Sequence, residues 1–223
     1  MPKKPELIVM LTWHDYTVEN AHQVFEQCKD AQASYWGMKE LPLPMEQMQQ
    51  LYAYMKSCGK TTILEVVAYT EEEGLAGARK AVACGCDILM GTKYADSIND
   101  YCKAHGLKYM PFVGEIADRP SVLKGEIEGL IREARECIDK GVYGINLLGY
   151  RYVGDSMALH KAFMQEIEAP VCLAGSINSY KRLDEIKELS PWSFTIGSAF
   201  FEKRFGETIA EQIDRVCSYI QQP

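Results

Sequence analysis

Short apolar runs alternate with longer amphipathic segments eight times along the 223-residue chain. The short runs are too brief for helices and rich in β-branched and aromatic residues, which indicates strands. These predicted strands cover residues 7–13, 34–38, 61–69, 87–90, 107–113, 142–148, 170–175 and 194–197. The longer segments predict helices over residues 17–32, 45–58, 71–84, 95–105, 122–140, 155–168, 180–189 and 207–220. Strict alternation favours a parallel sheet with helical crossovers.

Glycines support this division of the chain. Four of them precede predicted strands, where the residue after a helix commonly adopts a left-handed conformation: Gly59, Gly85, Gly106 and Gly141. The competing doubly wound fold usually has a glycine-rich loop after its first strand, but residues 13–17 contain no glycine. Because (β/α)₈ barrels need about 200 residues or more, we predict one (β/α)₈ (TIM) barrel domain over residues 1–223, with eight parallel strands and eight outer helices.

The net charge of −7 bears on the partners that the chain can bind. Nucleic acids and anionic membranes both require clustered basic residues, so we expect neither as a partner. Backbone N–H groups and one or two local cations still suffice to hold a small phosphorylated metabolite. The eight cysteines, Cys84 and Cys86 included, lack the spacing of zinc or redox sites. They indicate free thiols in a reducing cytoplasm, and we expect no metal and no cofactor.

The seventh predicted strand ends in Gly175 and Ser176, and the eighth in Gly197 and Ser198. Glycine allows an oxyanion to approach the backbone, and serine adds a hydroxyl donor. In barrels, the loops after strands seven and eight commonly hold phosphate together with a short extra helix, which we predict over residues 199–205. These four residues are therefore the predicted phosphate site, with two tight turns as the alternative.

At this point the chain resembles the ribulose-phosphate-binding barrels. The similarity lies in Leu173-Ala-Gly-Ser-Ile-Asn-Ser-Tyr-Lys-Arg-Leu-Asp-Glu-Ile186 and Thr195-Ile-Gly-Ser-Ala-Phe200, and Gly144-Ile-Asn146 is similar to strand six of indole-glycerol-phosphate synthases. The group includes tryptophan- and histidine-pathway barrels, pentulose-phosphate epimerases and keto-acid aldolases. The resemblance implies phosphate binding after strands seven and eight, and it matches no single member. Ser176 stands where the family has a second glycine.

Barrels place their chemistry at the carboxyl ends of their strands. The polar residues predicted there are His14, Asp15, Lys39, Glu40, Glu65, Lys93, Glu115 and Asn146. Glu65 is notable because it lies inside an otherwise apolar strand, where a charge must be paired or functional. The alternative is that Glu65 is a polar member of the inner layers of the barrel.

Lys93 is the first candidate for a catalytic lysine. A lysine near apolar walls can act as a base or as a Schiff-base nucleophile. Glu65 and Glu115, on the adjacent predicted strands, are expected to pair with it and to shuttle protons. The position resembles that of the strand-four Schiff-base lysine in transaldolase-like barrels. An exposed lysine at a strand end is the alternative.

Lys39 and Glu40 form a second set. Successive strand residues face opposite sides, so only one of the two is expected to point inward. Glu40 resembles the strand-two glutamate of keto-acid aldolases, but their strand-six lysine has no counterpart here, where strand six offers Asn146. Lys39 is therefore the alternative nucleophile. His14 is a candidate base or, with Asp15, a metal pair, although a capping role is more common for such a histidine.

Two longer loops carry arginines that suit a carboxylate or a second phosphate. Arg119 lies in residues 116–121 and Arg151 in residues 149–155. A guanidinium binds such groups bidentately, and a solvated loop charge is the alternative in both cases.

These features predict a lyase (class I aldolase-like) or an isomerase that acts on a small phosphorylated sugar or keto acid. The alternative is a non-catalytic phosphometabolite-binding or regulatory barrel, in which Lys93 and Glu65 form a structural ion pair. The apolar helix faces are compatible with a homo-oligomer as well as with a buried core.

Overall fold

A computed structural model describes residues 4–222, and a strand followed by a helix recurs eight times in it. The strands β1 to β8 of the main sheet are Glu6–Met10, Tyr35–Lys39, Thr61–Val66, Ile88–Lys93, Lys108–Phe112, Ile145–Leu147, Val171–Leu173 and Ser193–Ile196. The helices α1 to α9 are Ala21–Cys28, Met45–Ser57, Glu71–Ala83, Asp96–Ala104, Ile127–Asp139, Ser156–Glu166, Tyr180–Leu189, Ser198–Phe201 and Ile209–Gln221. The predicted (β/α)₈ fold is confirmed, with α8 as an extra short helix.

Neighbouring strands of the sheet all run parallel, in the order β6-β7-β8-β1-β2-β3-β4-β5. The two outermost strands also approach each other, because the Tyr143 N–H before β6 donates to the Tyr109 carbonyl of β5 at 2.9 Å. The sheet is therefore a nearly closed barrel. Its register places Lys39 opposite Glu65, which brings two charged residues together near the carboxyl ends of β2 and β3.

Two clusters of buried side chains hold the barrel together. The interior is filled by Ile8, Met10, Ile63, Ile88, Met90, Met110 and Cys172. A larger cluster packs the outer strand faces against the helices. At the amino-terminal end, Trp192 packs edge-to-face against Tyr35 and Tyr143. These three rings cover the amino-terminal end of the barrel, opposite the carboxyl ends of the strands.

Local signals explain where helices begin and end. Thr70 caps α3, because its side chain accepts a hydrogen bond from the Glu73 N–H. At the other ends, four predicted left-handed glycines are confirmed with φ between +66° and +80°: Gly59, Gly85, Gly106 and Gly141.

Two predicted helix starts are wrong because the chain forms short antiparallel hairpins there. The hairpins pair Thr12–Trp13 with Tyr16–Thr17 and Glu115–Ala117 with Val122–Lys124. Helix α1 consequently begins at Ala21 instead of residue 17, and α5 at Ile127 instead of residue 122. In the second hairpin Leu123 is fully buried between two more exposed residues, which is strand alternation, and Gly125 then turns the chain with φ of +126°.

Within residues 4–222, no helix is both long and apolar enough to cross a bilayer. The eight cysteines are free thiols. The same range contains no group of three or more His, Cys, Asp or Glu side chains placed to hold a metal ion.

Candidate functional site

A cavity of about 200 Å³ opens at the carboxyl end of the barrel. Its lining includes nine residues singled out from the sequence: His14, Asp15, Lys39, Glu65, Arg151, Gly175, Ser176, Gly197 and Ser198. Pockets for drug-sized ligands typically measure roughly 300–1,000 Å³, so this cavity suits a small metabolite. The two loops of the predicted phosphate site and some of the polar residues predicted at the strand ends therefore line the same cavity.

Lys39 is the central cation of the cavity. Its side chain is only 7% exposed, and its Nζ lies 2.8 Å from Asp15 Oδ1 and 3.5 Å from Glu65 Oε2. A buried charge requires such compensation. Strand alternation explains its direction, since Lys39 faces the interior while Glu40 lies on the rim and pairs with Arg119.

Glu65 is held from two sides. Its Oε1 accepts a hydrogen bond from Asn146 Nδ2 at 3.2 Å, while its Oε2 faces Lys39. Asn146 lies on β6 and is fully buried, so this bond spans the interior of the barrel. The Asn146 Oδ1 has no hydrogen-bond partner among the described residues. The charge inside the apolar third strand is thus paired, and it belongs to the floor of the cavity.

Asp15 reaches the cavity through an unusual turn. His14 and Asp15 are the central residues of the first hairpin, with φ of +47° and +69°. Positive φ at both positions is the arrangement of a type I′ turn. Thr17 fixes the hairpin to β2, because its Oγ1 accepts from the Lys39 N–H at 2.8 Å and donates to the Lys39 carbonyl at 2.9 Å. The His14 N–H in turn donates to Ser198 Oγ at 3.2 Å.

The Asp15 carboxylate remains ionised at neutral pH. Burial alone would raise the pKa of Asp15, but Lys39, Arg151 and Arg119 together hold that pKa below its ordinary value. Oδ1 receives the contacts from Lys39 and Arg151, whereas Oδ2 is buried and has no hydrogen-bond partner among the described residues. Oδ2 therefore keeps its capacity to accept a hydrogen bond or a proton.

The loop after β7 forms one wall of the cavity. Gly175 and Ser176 both have positive φ, of +88° and +52°. A Cβ on Gly175 would lie 2.8 Å from Arg151 Cγ, so glycine is needed for the arginine stem to pass along this loop. Outside the cavity, Arg182 donates to the Ser176 carbonyl at 2.8 Å and stacks on the ring of Tyr150. The loop is thereby supported on both sides.

The loop after β8 forms a second wall. A Cβ on Gly197 would lie 2.3 Å from Thr12 Oγ1, so this position also requires glycine. Ser198 begins α8, which ends at Phe201 and is shorter than the helix predicted over residues 199–205. The first N–H groups of a helical turn have no partner within it, so they and the Ser198 hydroxyl can donate to a ligand.

The two loop arginines differ in position. Arg151 lies in a 3₁₀ turn, Gly149–Arg151, and lines the cavity, with NH1 and NH2 each 3.4 Å from Asp15 Oδ1. Arg119 lies on the rim, where NH2 is 3.1 Å from Glu40 Oε1 and the guanidinium stacks over the ring of Tyr16. Arg151 is therefore the one of this pair that can reach a ligand in the cavity.

Lys93 lies outside the cavity. The strand is irregular just before it, because Gly91 and Thr92 have φ of +80° and +63° and the register shifts between β4 and β5. The side chain consequently turns outward, where Nζ donates to the Gly114 carbonyl and lies 3.2 Å from Glu133 Oε1 on α5.

The predicted pairing of Lys93 with Glu65 and Glu115 is therefore wrong. Glu65 pairs with Lys39 inside the barrel, and Glu115 is an exposed residue of the second hairpin. Lys93 and Glu115 line a separate depression beside α5. The Lys93–Glu65 ion pair expected for a non-catalytic barrel is replaced by the pair between Lys39 and Glu65.

The sequence names Asp15 and Arg151 as candidates without giving either a leading role, and it does not identify Glu202, which also lines the cavity. From sequence alone, Asp15 is only the neighbour of His14, and Arg151 is one of two loop arginines. A signal for Asp15 does exist, because residues 12–17 place strand-forming threonine and aromatic residues on both sides of a two-residue centre. The approach of Arg151 depends on tertiary packing against Gly175, which no local pattern reveals.

Comparisons with known proteins identify the fold. No family model matches the chain, and no curated protein matches its sequence. Many solved structures do match. They include orotidine 5′-phosphate decarboxylase from Pyrococcus horikoshii OT3, with a TM-score of 0.71, 13% identity and coverage of 97% of this chain and 100% of that one.

Two further neighbours have the same fold. N-acetylmannosamine-6-phosphate 2-epimerase from Clostridium perfringens has a TM-score of 0.66 and 14% identity, covering 96% of this chain and 93% of that one. N-(5′-phosphoribosyl)anthranilate isomerase from Pyrococcus furiosus has a TM-score of 0.66 and 12% identity, covering 96% and 99%. The structural neighbours are ribulose-phosphate-binding barrels, none of these is a close match in sequence, and this chain shares their (β/α)₈ fold.

Proposed function

We propose that this protein is an isomerase or lyase that acts on a small phosphorylated sugar or keto acid. One observation carries the proposal: Lys39 lies buried between Asp15 and Glu65 in the same cavity as both Gly-Ser loops. A phosphate on the loops would hold one end of the ligand, and its carbonyl end would meet the charged cluster. The decarboxylase, epimerase and isomerase activities named for the neighbours support this class of substrate.

The cluster suits proton transfer next to a carbonyl group. In the proposed step, Asp15 Oδ2 takes the proton as the carbon–hydrogen bond breaks, and the electron pair forms the carbon–carbon double bond of an enolate. The Lys39 ammonium stabilises the negative charge that develops on the carbonyl oxygen. Return of the proton to the other face or to the neighbouring carbon completes an isomerisation. Glu65 orients Lys39 and is itself held by Asn146.

A Schiff-base lyase would use Lys39 differently. An ammonium has no lone pair, so Lys39 would first transfer a proton to a carboxylate before attacking a carbonyl carbon. Asp15 Oδ1, at 2.8 Å, is placed to receive that proton. Borohydride trapping followed by intact mass distinguishes this route, because it leaves a covalent adduct on Lys39 and the enolate route leaves none.

A non-catalytic phosphometabolite-binding barrel is the second candidate. The observation that favours it is the mutual compensation of Lys39, Asp15 and Glu65, since a structural ion cluster would be paired in the same way. Such a protein would bind a phosphorylated ligand and leave its carbon–hydrogen bonds unchanged.

Deuterium exchange tests the proposal directly. Phosphorylated aldoses, ketoses and 2-keto acids are incubated with the protein in ²H₂O, and loss of the proton signal beside the carbonyl is followed by NMR. We expect exchange with at least one compound, and a loss of at least about 100-fold in Lys39→Met. Lys93→Met, which alters a strand-end lysine outside the cavity, keeps the wild-type rate.

Lys39→Arg provides a second variant, because it keeps the charge between Asp15 and Glu65 and removes the ammonium geometry. Thermal unfolding of each variant separates loss of folding from loss of chemistry. Binding of a phosphorylated compound without any exchange or adduct would support the non-catalytic barrel. A rate lost in Lys93→Met and retained in Lys39→Met would contradict the assignment of the cavity.

A further inference from the structure

Arg151 lies between the Asp15 carboxylate and the loop of Gly175 and Ser176 after β7. Its NH1 and NH2 are each 3.4 Å from Asp15 Oδ1, and its stem runs along Gly175. A Cβ on Gly175 would lie 3.1 Å from Arg151 Nε, so the guanidinium begins directly beside this loop. The same cation is therefore within reach of two anionic partners.

The contact between Arg151 and Asp15 is the weaker of the two that Asp15 makes. Lys39 Nζ lies 2.8 Å from Oδ1, whereas both Arg151 nitrogens lie at the long end of hydrogen-bond distances. Oδ1 receives all of these donors, and the buried Oδ2 has none among the described residues. An arginine that binds a carboxylate well donates to both oxygens, so this pair is not in its best geometry.

The charges of the cavity favour a change of partner by one cation when an anion binds. Among the described residues that line it, the lysine and arginine side chains are Lys39 and Arg151, against Asp15, Glu65 and Glu202. A phosphate dianion would add two negative charges to this set. Lys39 is buried between two carboxylates, while the Arg151 side chain is 21% exposed. Arg151 is thus the cation that is free to turn toward the ligand.

Resting on the proposed function, we infer that Arg151 leaves Asp15 for the phosphate of the bound ligand, and that this exchange lets the Asp15 carboxylate turn its buried Oδ2 toward the substrate proton. The guanidinium then binds phosphate oxygens at the Gly175–Ser176 loop. Asp15 keeps its contact with Lys39 and turns Oδ2 to the carbon–hydrogen bond. Arg151 is a positioning residue in this scheme, because it acts on the chemistry through Asp15.

The neighbouring elements favour a movement of the side chain alone. Arg182 connects the two loops from outside, stacking on Tyr150 and donating to the Ser176 carbonyl. The 3₁₀ turn and the Gly175–Ser176 loop are therefore held together while the guanidinium rotates. Since Arg151 lowers the pKa of Asp15, its departure raises that pKa and makes the carboxylate a stronger base.

A titration with inorganic phosphate tests the inference. Phosphate affinity is measured by calorimetry for the wild type, Arg151→Lys and Arg151→Met. Because a charge-assisted pair is lost, we expect Arg151→Met to bind phosphate at least about tenfold more weakly. Arg151→Lys keeps the positive charge but lacks the planar guanidinium, so we expect its phosphate affinity to lie between those of the wild type and Arg151→Met. Arg135→Met, which removes an exposed arginine paired with Glu166, binds phosphate as the wild type does.

Carbon-13 NMR of labelled aspartate provides a readout that a purely structural role of Arg151 would not move. In the wild type, saturating phosphate is expected to raise the pKa of Asp15. In Arg151→Met the pKa of Asp15 is already raised without phosphate, and Arg135→Met reproduces the wild type. Equal phosphate affinity in the wild type and Arg151→Met, or a phosphate-bound structure with Arg151 still on Asp15, would overturn this inference and leave the proposed function standing.

The remaining outcomes separate this inference from the proposed function. If the wild type does not bind phosphate at millimolar concentrations, the anion site and the exchange of Arg151 both fail. If phosphate binds through Arg151 but no compound exchanges deuterium or forms an adduct, the partner exchange stands and the catalytic proposal falls.

Discussion

The barrel can bury Lys39 only because neighbouring carboxylates compensate its positive charge. An isolated ammonium in the interior is strongly disfavoured, and Asp15 and Glu65 supply the opposite charges. A buried cluster of this kind adds little net stability compared with apolar side chains of the same volume. The proposed ligand binding therefore accounts for its presence better than folding does, which agrees with its place in the cavity.

Asn146→Leu tests how far this cluster depends on its polar support. The change removes the donor to Glu65 Oε1 and leaves that oxygen buried without a partner. We expect the free energy of unfolding to fall by about 1–3 kcal/mol, measured by urea denaturation. Asn20→Leu is the control, because Asn20 is exposed and makes no capping bond, and its effect stays within about 0.5 kcal/mol. Identical midpoints for the two variants would contradict the role of Asn146.

Elements with a regular apolar pattern were predictable from the sequence, and irregular elements were not. Eight strands and their helices follow from apolar periodicity, because each run is long enough to show it. The hairpin strands have no helical segment between them, so the alternation of strand and helix that marks the main strands does not reveal them. The irregularity at Gly91 turned Lys93 outward, and a glycine inside a strand was its one sequence signal. The pairing of Lys39 with Glu65 depends on strand register, which a single sequence does not specify.

Substitution by alanine is expected to change stability in opposite directions at two helix glycines, depending on how closely each helix packs at that point. A Cβ on Gly77 of α3 would lie 2.5 Å from Val66 Cγ1 on β3, so Gly77→Ala overpacks the contact and costs about 1–3 kcal/mol. On Gly129 of α5 the nearest atom would be Arg132 NH2 at 3.8 Å. Gly129→Ala therefore stabilises the protein by about 0.5–1 kcal/mol through lost backbone entropy of the unfolded chain. Urea denaturation of both variants checks the signs, and shifts in the same direction would refute the packing argument.

The molecule as a whole has two unlike ends. Trp192 and its aromatic neighbours cover the amino-terminal end of the barrel, while the cavity opens at the carboxyl end. Among residues 4–222, the exposed large apolar side chains lie on the loops after the strands or at the first residue of the following helix. They are Trp13, Tyr16, Leu41, Met45, Tyr69, Val153 and Tyr180. The proposed ligand site therefore belongs to the carboxyl end, where the cavity opens.

His160 makes the stability of the whole molecule depend on pH. It lies on α6 and is fully buried, and neither ring nitrogen has a hydrogen-bond partner among the described residues. Burial, with a contribution from Arg182, lowers the pKa of His160 from 6.5 to about 4. Between these two values the unfolded chain binds a proton that the folded protein does not. The contribution of neutral His160 to stability is therefore present above pH 6.5 and is lost as the pH falls toward 4.

We expect the wild type to lose about 3 kcal/mol more than His160→Phe when unfolding is measured in urea at pH 7 and again at pH 4. Phenylalanine keeps an aromatic ring against Tyr150 and cannot be protonated. His160→Leu is a second variant for the same comparison, because the larger phenylalanine ring can disturb the close contact between Gly149 and the position of His160 Nε2. His22→Phe, at an exposed position, should retain the wild-type pH dependence. The argument fails if the wild type and both His160 variants lose stability in parallel, because the proton taken up on unfolding would then bind elsewhere.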